Sequence, residues 1–443
     1  MPMKTTLLKL RLFSLPIALV ALMLIGCTPK PETVHDVLSR ISSIDSLKQI
    51  EGDTTLFAET WELWFSMPLD HKNPEAGKFP LRVVYNHKDF ESPMVIAIEG
   101  YKIYSHRPTE PTRLLKANQI NIEHRFFENS RPKDSIPWKY LNIYQAATDH
   151  HTVIKSFKPY YTNKWVATGI SKGGQATIYH RYFYPNDVDV SIPYVAPINS
   201  SSEDPRVYSF LRTVGTPACR ERVMIFQEEL FKRKDKLMPL LEQHVTEKNY
   251  TFGFGLSRAY DVNVLEYSFA FWQWGGIDCI DIPTADATNL EMFSHWTSVA
   301  PFDFIEDKGV DAIRPYFYQA MTQIGSYGYE VEPWSKYLDD TTNITFDFTM
   351  PKGHMAQFDP EPMKDVNRWI STKANYMLYI YGEYDPWSAT AVEPSPNTNS
   401  ISFINPMGDH RTRIHSFPDD MRQMIYDTLE EWLGVEIEEK PKN

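Results

Sequence analysis

Residues 168–175 read Thr168-Gly169-Ile170-Ser171-Lys172-Gly173-Gly174-Gln175. This stretch contains the pattern G-x-S-x-G and lies between a strand-like segment at 164–168 and a helix-like run at 175–184. A serine hydroxyl is a weak nucleophile, so it must be presented on a sharp turn that a base can reach, and flanking glycines keep such a turn free of side-chain clashes. The stretch therefore predicts a strand–turn–helix unit that presents Ser171 as a nucleophile.

Strand-like and helix-like segments alternate on both sides of this turn. Short runs rich in β-forming residues and bounded by turn residues predict strands at 60–67, 79–85, 93–98, 119–123, 164–168, 376–381 and 400–404. Apolar residues at helical spacing predict helices at 136–157 and 418–433. Parallel neighbours need crossover connections, so this alternation indicates an α/β chain with a mostly parallel, buried sheet. Together with the nucleophile turn it predicts an α/β-hydrolase fold.

The pattern changes in the middle of the chain. Residues 200–365 carry helix-like stretches such as 220–247, a very aromatic segment at 267–274, and few strand signals. We interpret this region as a helical cap, or lid, inserted before the last strands. The hydrolase core is then predicted in two parts, residues 51–199 and residues 366–443.

The partners of the serine must be an acid and a histidine, in the chain order Ser, acid, His. The predicted strand at 376–381 is followed by a Gly-Glu-Tyr-Asp-Pro-Trp turn, which places Asp385 at the carboxyl end of a strand. His410 follows the next predicted strand, in the loop before the last helix. We therefore expect Ser171, Asp385 and His410 to form a catalytic triad.

Alternatives exist for two members of this triad. His415 is the alternative base, and Glu383 and Asp409 are alternative acids. We prefer His410 because the loop directly after a strand faces the active-site edge of a parallel sheet, whereas His415 lies nearer the final helix.

Two backbone N–H groups are expected to form an oxyanion hole. One belongs to Lys172, at the start of the helix that follows the nucleophile, and the other to the loop Gly100-Tyr101 after the strand at 93–98. The triad mechanism requires no metal ion and no cofactor.

Residues 1–26 predict a signal peptide. Three basic residues, Lys4, Lys9 and Arg11, precede an uncharged apolar run at 12–25 that is too short to span a bilayer comfortably. The layout is typical of export, which places the protein in the cell envelope.

The end of the apolar run indicates lipid attachment. Two aliphatic residues and a glycine precede Cys27, the arrangement that bacterial lipoprotein processing requires. We expect Cys27 to carry the lipid, residues 27–50 to form a tether, and the protein to face the periplasm or cell surface with the lipid anchor as its only membrane contact. An ordinary signal peptide that contains a cysteine is the alternative.

Composition excludes some partners. The 443-residue chain has a net charge of −12 and no cluster of Lys and Arg, so nucleic acid is not expected as a partner. Beyond Cys27 only Cys219 and Cys279 are present. Two thiols are too few for a structural zinc site, and in an oxidising compartment they either form one disulfide or stay buried as thiols.

Several separated stretches resemble one known family. They are the Glu-His-Arg-Phe-Phe segment that begins at Glu123 and runs to Pro132, the Gly-x-Ser-Lys-Gly-Gly turn at 169–174, the Gly-x-x-Asp-Pro-Trp loop at 382–387, and the stretches 182–197 and 269–273. The combination resembles the secreted tripeptidyl aminopeptidase family of bacterial serine peptidases, relatives of the prolyl carboxypeptidase and dipeptidyl peptidase group. The resemblance spans most of residues 50–440.

The resemblance implies an α/β-hydrolase core with a helical cap and the removal of short peptides, in particular tripeptides, from free amino termini. It maps the triad onto Ser171, Asp385 and His410. The histidine loop departs from the family pattern, because Asp409 and Arg411 make it more charged than the small and amide residues expected there. The Glu-His-Arg segment is interpreted as an internal ion pair that braces the core, ahead of a direct role in catalysis.

An aminopeptidase must recognise an ammonium group, and a carboxylate in a partly desolvated pocket is a strong partner for it. Glu99, beside the expected oxyanion loop, and Glu128, after the aromatic pair, are the candidates; Glu228 and Glu229 in the cap are alternatives. Two other functions fit the fold: a carboxylesterase or lipase, and a catalytically inactive surface-binding lipoprotein. The motifs outside the triad favour peptide substrates.

Overall fold

A nine-stranded sheet organises the chain in the computed structural model, which describes residues 33–276, 278–341 and 344–437. The strands are β1 (Ile44–Ile50), β2 (Glu59–Pro68), β3 (Lys78–His87), β4 (Met94–Ile98), β5 (Asn118–Ile122), β6 (Trp165–Ile170), β7 (Val190–Tyr194), β8 (Leu378–Gly382) and β9 (Ile401–Asn405). Their order across the sheet is β1-β2-β3-β5-β4-β6-β7-β8-β9. The pairings from β1 to β5 are antiparallel, and those from β5 to β9 are parallel.

The central parallel strands are buried on both faces. Every residue of β4, β5, β7 and β8 is buried, as expected for strands covered by helices on both sides. The predicted α/β-hydrolase fold is confirmed. One central strand, β7, was not predicted, because Pro193 inside it cannot donate to a ladder and weakens the strand signal.

Twelve α-helices accompany the sheet in the described part of the chain. They are α1 (Val34–Arg40), α2 (Glu110–Leu114), α3 (Ile143–Phe157), α4 (Lys172–Phe183), α5 (Pro205–Leu211), α6 (Pro217–Lys232), α7 (Lys234–Lys248), α8 (Leu256–Trp274), α9 (Asn289–Val299), α10 (Asp307–Gln319), α11 (Glu361–Thr372) and α12 (Asp419–Leu433). Helices α2 and α12 pack on one face of the sheet, and α3, α4 and α11 pack on the other.

Helices α5 to α10 lie between β7 and β8 in the chain, and α6 to α9 pack around an apolar core of their own. Large buried rings fill that core, including Tyr260 and Tyr267 of α8 and Trp296 of α9. A disulfide joins Cys219 of α6 to Cys279, which answers the question left open by the sequence. The disulfide and this core hold the helices of the inserted region together.

The region predicted as a tether, residues 27–50, is corrected by the structure from Val34 onward. Helix α1 has a capping box at Thr33 and buries three apolar side chains, and β1 pairs antiparallel with β2. The open edge of β2 supplies hydrogen-bond partners that a free tether would lack, so this segment belongs to the sheet.

The predicted signal peptide and Cys27 lie outside the described residues. None of the helices in the described ranges combines the length and apolar character needed to cross a membrane.

Candidate active site

Ser171 occupies the turn between β6 and α4, with φ 56° and ψ −122°. Such a positive φ is uncommon for serine and is expected of a strained turn that presents a hydroxyl above a sheet. The Ser171 N–H donates to the Tyr194 carbonyl at 2.9 Å, and its carbonyl accepts from the Gln175 N–H at 2.9 Å. Gly173 is required at its place because a Cβ there would lie 2.5 Å from the Ile98 carbonyl oxygen.

Asp385 and His410 are hydrogen-bonded to each other beyond the carboxyl ends of β8 and β9. Nδ1 of His410 lies 2.7 Å from Oδ2 of Asp385, and both side chains are buried. The other carboxylate oxygen accepts the Trp387 N–H at 3.1 Å, which fixes the acid in its turn. Because a carboxylate only accepts, Nδ1 carries the proton and Nε2 is left as the basic nitrogen.

Ser171 opens into a cavity of about 390 Å³ between the sheet edge and the cap. His410 contacts two cap residues that line this cavity. Its backbone N–H donates to the Gln273 carbonyl at 2.9 Å, and its ring lies edge-on to the Trp274 ring, with 5.7 Å between the centroids. Within the described residues no hydrogen bond joins Ser171 to His410. Such bonds are often long without substrate and tighten when it binds.

The predicted oxyanion residues lie beside the nucleophile. Lys172 begins α4, and Lys172 and Tyr101 both line the Ser171 cavity. Gly100 packs directly on the nucleophile turn, since a Cβ at Gly100 would lie 2.6 Å from the Lys172 carbonyl carbon. The N–H groups of Lys172 and Tyr101 have no acceptor among the described residues, so both are available to an oxyanion.

A buried carboxyl group that the sequence analysis missed lies in the same cavity. Glu266 of α8 is 5% exposed, and its Oε2 accepts the hydroxyls of Tyr327 at 2.8 Å and Tyr329 at 2.7 Å. Burial raises the pKa of Glu266 to about 7, against the effect of the two hydroxyl donors. The signal in the sequence is the single charged residue in a mostly apolar and aromatic stretch from Val262 to Trp274.

The acids proposed from the sequence to bind an ammonium do not line this cavity. Glu99 lines a second cavity of about 690 Å³ on the other side of the nucleophile turn, where burial raises its pKa to about 7. Glu128 is exposed, with its carboxylate 3.5 Å from the Lys102 ammonium. The cap acids Glu228 and Glu229 pair with lysine or arginine side chains away from Ser171.

The alternative triad residues have other partners. Nδ1 of His415 lies 2.7 Å from the Glu110 carboxylate, and the His415 side chain is 74% exposed. Glu383 is exposed and accepts the Met407 N–H, while Asp409 pairs with Arg411. The geometry therefore favours Asp385 and His410 over these three residues.

The Glu-His-Arg segment braces the site, but through contacts with other residues and not through an ion pair between Glu123 and Arg125. Glu123 accepts the N–H groups of Ile103 and Ser130, at 3.1 and 3.0 Å. Arg125 makes two hydrogen bonds to the buried carboxylate of Asp149, at 2.7 and 2.9 Å. The His124 N–H between them donates to the Tyr101 carbonyl, so the segment holds the candidate oxyanion loop in place.

Strand order, nucleophile turn and acid–histidine pair together define an α/β-hydrolase. The chain belongs to the family described as PS-10 peptidase S37, which it matches over residues 29–442. It is 32% identical over 409 residues to the prolyl tri/tetrapeptidyl aminopeptidase of Streptomyces mobaraensis, covering 90% of this chain and 85% of that protein. The resemblance read from the motifs is confirmed, and the protein is a serine aminopeptidase.

Other comparisons are more distant. A protein of Arabidopsis thaliana called "Probable serine protease EDA2" is 26% identical over 391 residues, covering 75% of this chain and 76% of that protein. Among solved structures, proline iminopeptidase of Mycobacterium smegmatis has a TM-score of 0.40 and 13% identity, covering 87% of this chain and 98% of that chain. An epoxide hydrolase from an endophytic Streptomyces has a TM-score of 0.37 and 14% identity, covering 84% and 95%.

Proposed function

We propose that this peptidase releases short peptides, in particular tripeptides, from free amino termini through a Ser171–His410–Asp385 triad. One observation carries the proposal: the buried carboxyl of Glu266 shares a cavity with Ser171. A relative that is 32% identical bears the name prolyl tri/tetrapeptidyl aminopeptidase, which agrees with a small number of residues released per cut.

In this mechanism Ser171 attacks the peptide carbonyl while Nε2 of His410 takes its proton. The protonated imidazole then gives the proton to the leaving amine, which yields an acyl-enzyme that water hydrolyses by the same route. Asp385 orients the ring through its 2.7 Å bond to Nδ1 and stabilises the imidazolium. The oxyanion would bind the N–H groups of Lys172 and Tyr101, each worth about 2.7–4 kcal/mol in the transition state.

Glu266 is suited to hold the substrate ammonium. Both tyrosine hydroxyls donate to Oε2, and Oε1 has no donor among the described residues. An ammonium entering the cavity would favour the ionised carboxylate, and the charged bond would be strong in this desolvated place. Asp303 also lines the cavity, but it is exposed and therefore the weaker candidate.

The cap explains why the amino end would be read rather than the interior of a folded protein. Cap side chains such as Trp274, Phe304 and Tyr316 enclose the Ser171 cavity opposite the sheet. A cavity of about 390 Å³ falls in the range of small-ligand sites and cannot admit a folded chain. With the ammonium fixed at Glu266, the distance to Ser171 would set how many residues are released.

Export and lipid attachment at Cys27 are part of the proposal. They rest on the charged-then-apolar segment at 1–26 and on the two aliphatic residues and the glycine before Cys27. The first described helix, α1, begins at Val34, seven residues after Cys27.

The test is hydrolysis of matched peptides that differ only by acetylation of the amino terminus, followed by mass spectrometry of the products. We expect the free peptide to lose three residues from its amino end and the acetylated peptide to react at least tenfold more slowly. Ser171→Ala serves as the control, with loss of fluorophosphonate labelling and about 10⁴-fold lower turnover. Equal hydrolysis of both peptides would contradict the exopeptidase proposal, and hydrolysis of esters alone would favour a carboxylesterase.

A further inference from the structure

The Lys172 side chain packs against the rings of Phe127 and Tyr101, beside the nucleophile turn. Lys172 is 3% exposed, and within the described residues its Nζ has no hydrogen-bond or ion-pair partner. The ammonium lies over two rings instead, 5.3 Å from the centroid of Phe127 and 5.8 Å from that of Tyr101. These distances fall in the range of cation–π interactions, which are strongest where water is excluded.

This contact links the two candidate oxyanion donors. Lys172 supplies one N–H and Tyr101 the other, and the side chain of the first lies on the ring of the second. The rings of Tyr101 and Phe127 meet edge to face at 5.5 Å, so the three side chains form one packed group. The Lys172 side chain is therefore in contact with the residue that carries the second donor.

A small cavity lies next to the Lys172 side chain. It has a volume of about 10 Å³, and the lining residues with polar side chains are Lys172, His124, His150, Tyr179 and Gln319. Nδ1 of His150 and Oε1 of Gln319 are buried atoms without a hydrogen-bond partner, and both residues are 1% exposed. A space of this size accommodates one water, and buried water typically bonds two to four such groups.

Among the described residues that line this cavity, Lys172 is the side chain that carries a positive charge when protonated, and burial lowers its pKa well below its usual value. Burial lowers the pKa of His150 to about 3 and that of His124 well below its usual value, so both rings are neutral near pH 7. Gln319 is the last residue of α10, which means that the cap contributes one wall beneath the nucleophile turn.

We propose that Lys172 is a positioning residue for the oxyanion hole and that one water, bound by its ammonium, His150 Nδ1 and Gln319 Oε1, completes its solvation. The inference rests on the proposed role of Ser171 as the nucleophile. The ammonium is held by rings and by this water because no carboxylate of the described residues pairs with it, and its fixed place keeps the two N–H groups aimed at one point. The contribution appears in the transition state, where the oxyanion forms, and not in substrate binding.

The test compares Lys172→Met, which keeps the length but removes the charge, with Lys172→Arg, which keeps a cation. For Lys172→Met we expect kcat to fall about tenfold or more with KM within about threefold, a parallel fall in the rate of fluorophosphonate labelling of Ser171, and partial recovery in Lys172→Arg. Lys158→Met is the matched control, because the Lys158 ammonium lies over Trp165 at 4.7 Å outside the site, and both rates should stay unchanged.

Two milder variants cover the case in which Lys172→Met does not fold. Phe127→Leu removes one ring under the ammonium, and Gln319→Leu removes a water ligand; each should lower kcat about threefold or more without raising KM. If kcat and labelling are unchanged in Lys172→Met, or in both milder variants, the positioning role is overturned. The proposed function still stands in that case, provided that Ser171 is labelled in the wild type. An unlabelled wild-type Ser171 overturns both.

Discussion

Nδ1 of His410 lies 2.7 Å from the carboxylate of Asp385, although 25 residues separate them in the chain. We predict that His410→Ala lowers kcat by about 10³-fold or more, because the substitution removes the proposed general base. His415→Ala should stay within about threefold of the wild type, since that exposed ring contacts Glu110. Initial rates on a peptide substrate measure both, and the reverse ranking would assign the base to His415.

Substitution of Glu266 should affect the binding of free amino termini selectively. Glu266→Gln keeps the shape and the tyrosine contacts but removes the charge, so we expect kcat/KM on a free peptide to fall about tenfold or more and to change little on its acetylated form. Asp303→Asn, at the exposed rim of the same cavity, is the matched control and should be nearly neutral. Equal losses on both peptides would indicate a structural role for Glu266.

The pH dependence of stability provides an independent measure of the Glu266 environment. Burial raises the folded-state pKa from 4.5 to about 7, so the neutral form favours folding, and this contribution is lost as pH rises through 7. At pH 8.5 Glu266→Gln should therefore be more stable than the wild type, with a free energy of unfolding that is higher by on the order of 3 kcal/mol at most. Urea unfolding of both proteins at pH 5.5 and 8.5 measures the difference between their free energies of unfolding. The same difference at both pH values would contradict the raised pKa of Glu266.

Removal of the disulfide should destabilise the cap. Cys219 and Cys279 close a loop with a sequence separation of 60 residues, so we expect Cys219→Ser to reduce the free energy of unfolding by about 2–4 kcal/mol. Cys279→Ser should match it, and the double variant should not be worse than either single variant. Thermal unfolding with and without reductant measures the effect; an insensitive wild type would show that the bond is absent in solution.

Cys27 should decide membrane attachment. We predict that Cys27→Ser abolishes labelling by radioactive or alkyne fatty acid and moves the protein from the membrane to the soluble fraction, because the substitution removes the proposed lipid acceptor. A serine substitution elsewhere, such as Cys219→Ser, is the control for labelling. Membrane attachment of Cys27→Ser without labelling would indicate an uncleaved leader instead.

Sequence alone determined the features that depend on short contiguous stretches. A nucleophile turn needs glycines within a few residues of Ser171, and an acid and a histidine must follow parallel strands, so motif and chain order predicted all three candidate residues. The alternation of strand and helix signals likewise predicted the fold. These signals are local, because backbone conformation and chain order impose them.

Tertiary structure decided the features that depend on burial and on contacts between distant segments. Glu266 is a candidate for binding the ammonium because α8 places it in the Ser171 cavity. Its two hydroxyl donors, Tyr327 and Tyr329, lie more than 60 residues away in the chain. The edge strand β1 depended on the open side of β2. A polar side chain is costly to bury without partners, and those partners are brought together by folding and not by sequence proximity.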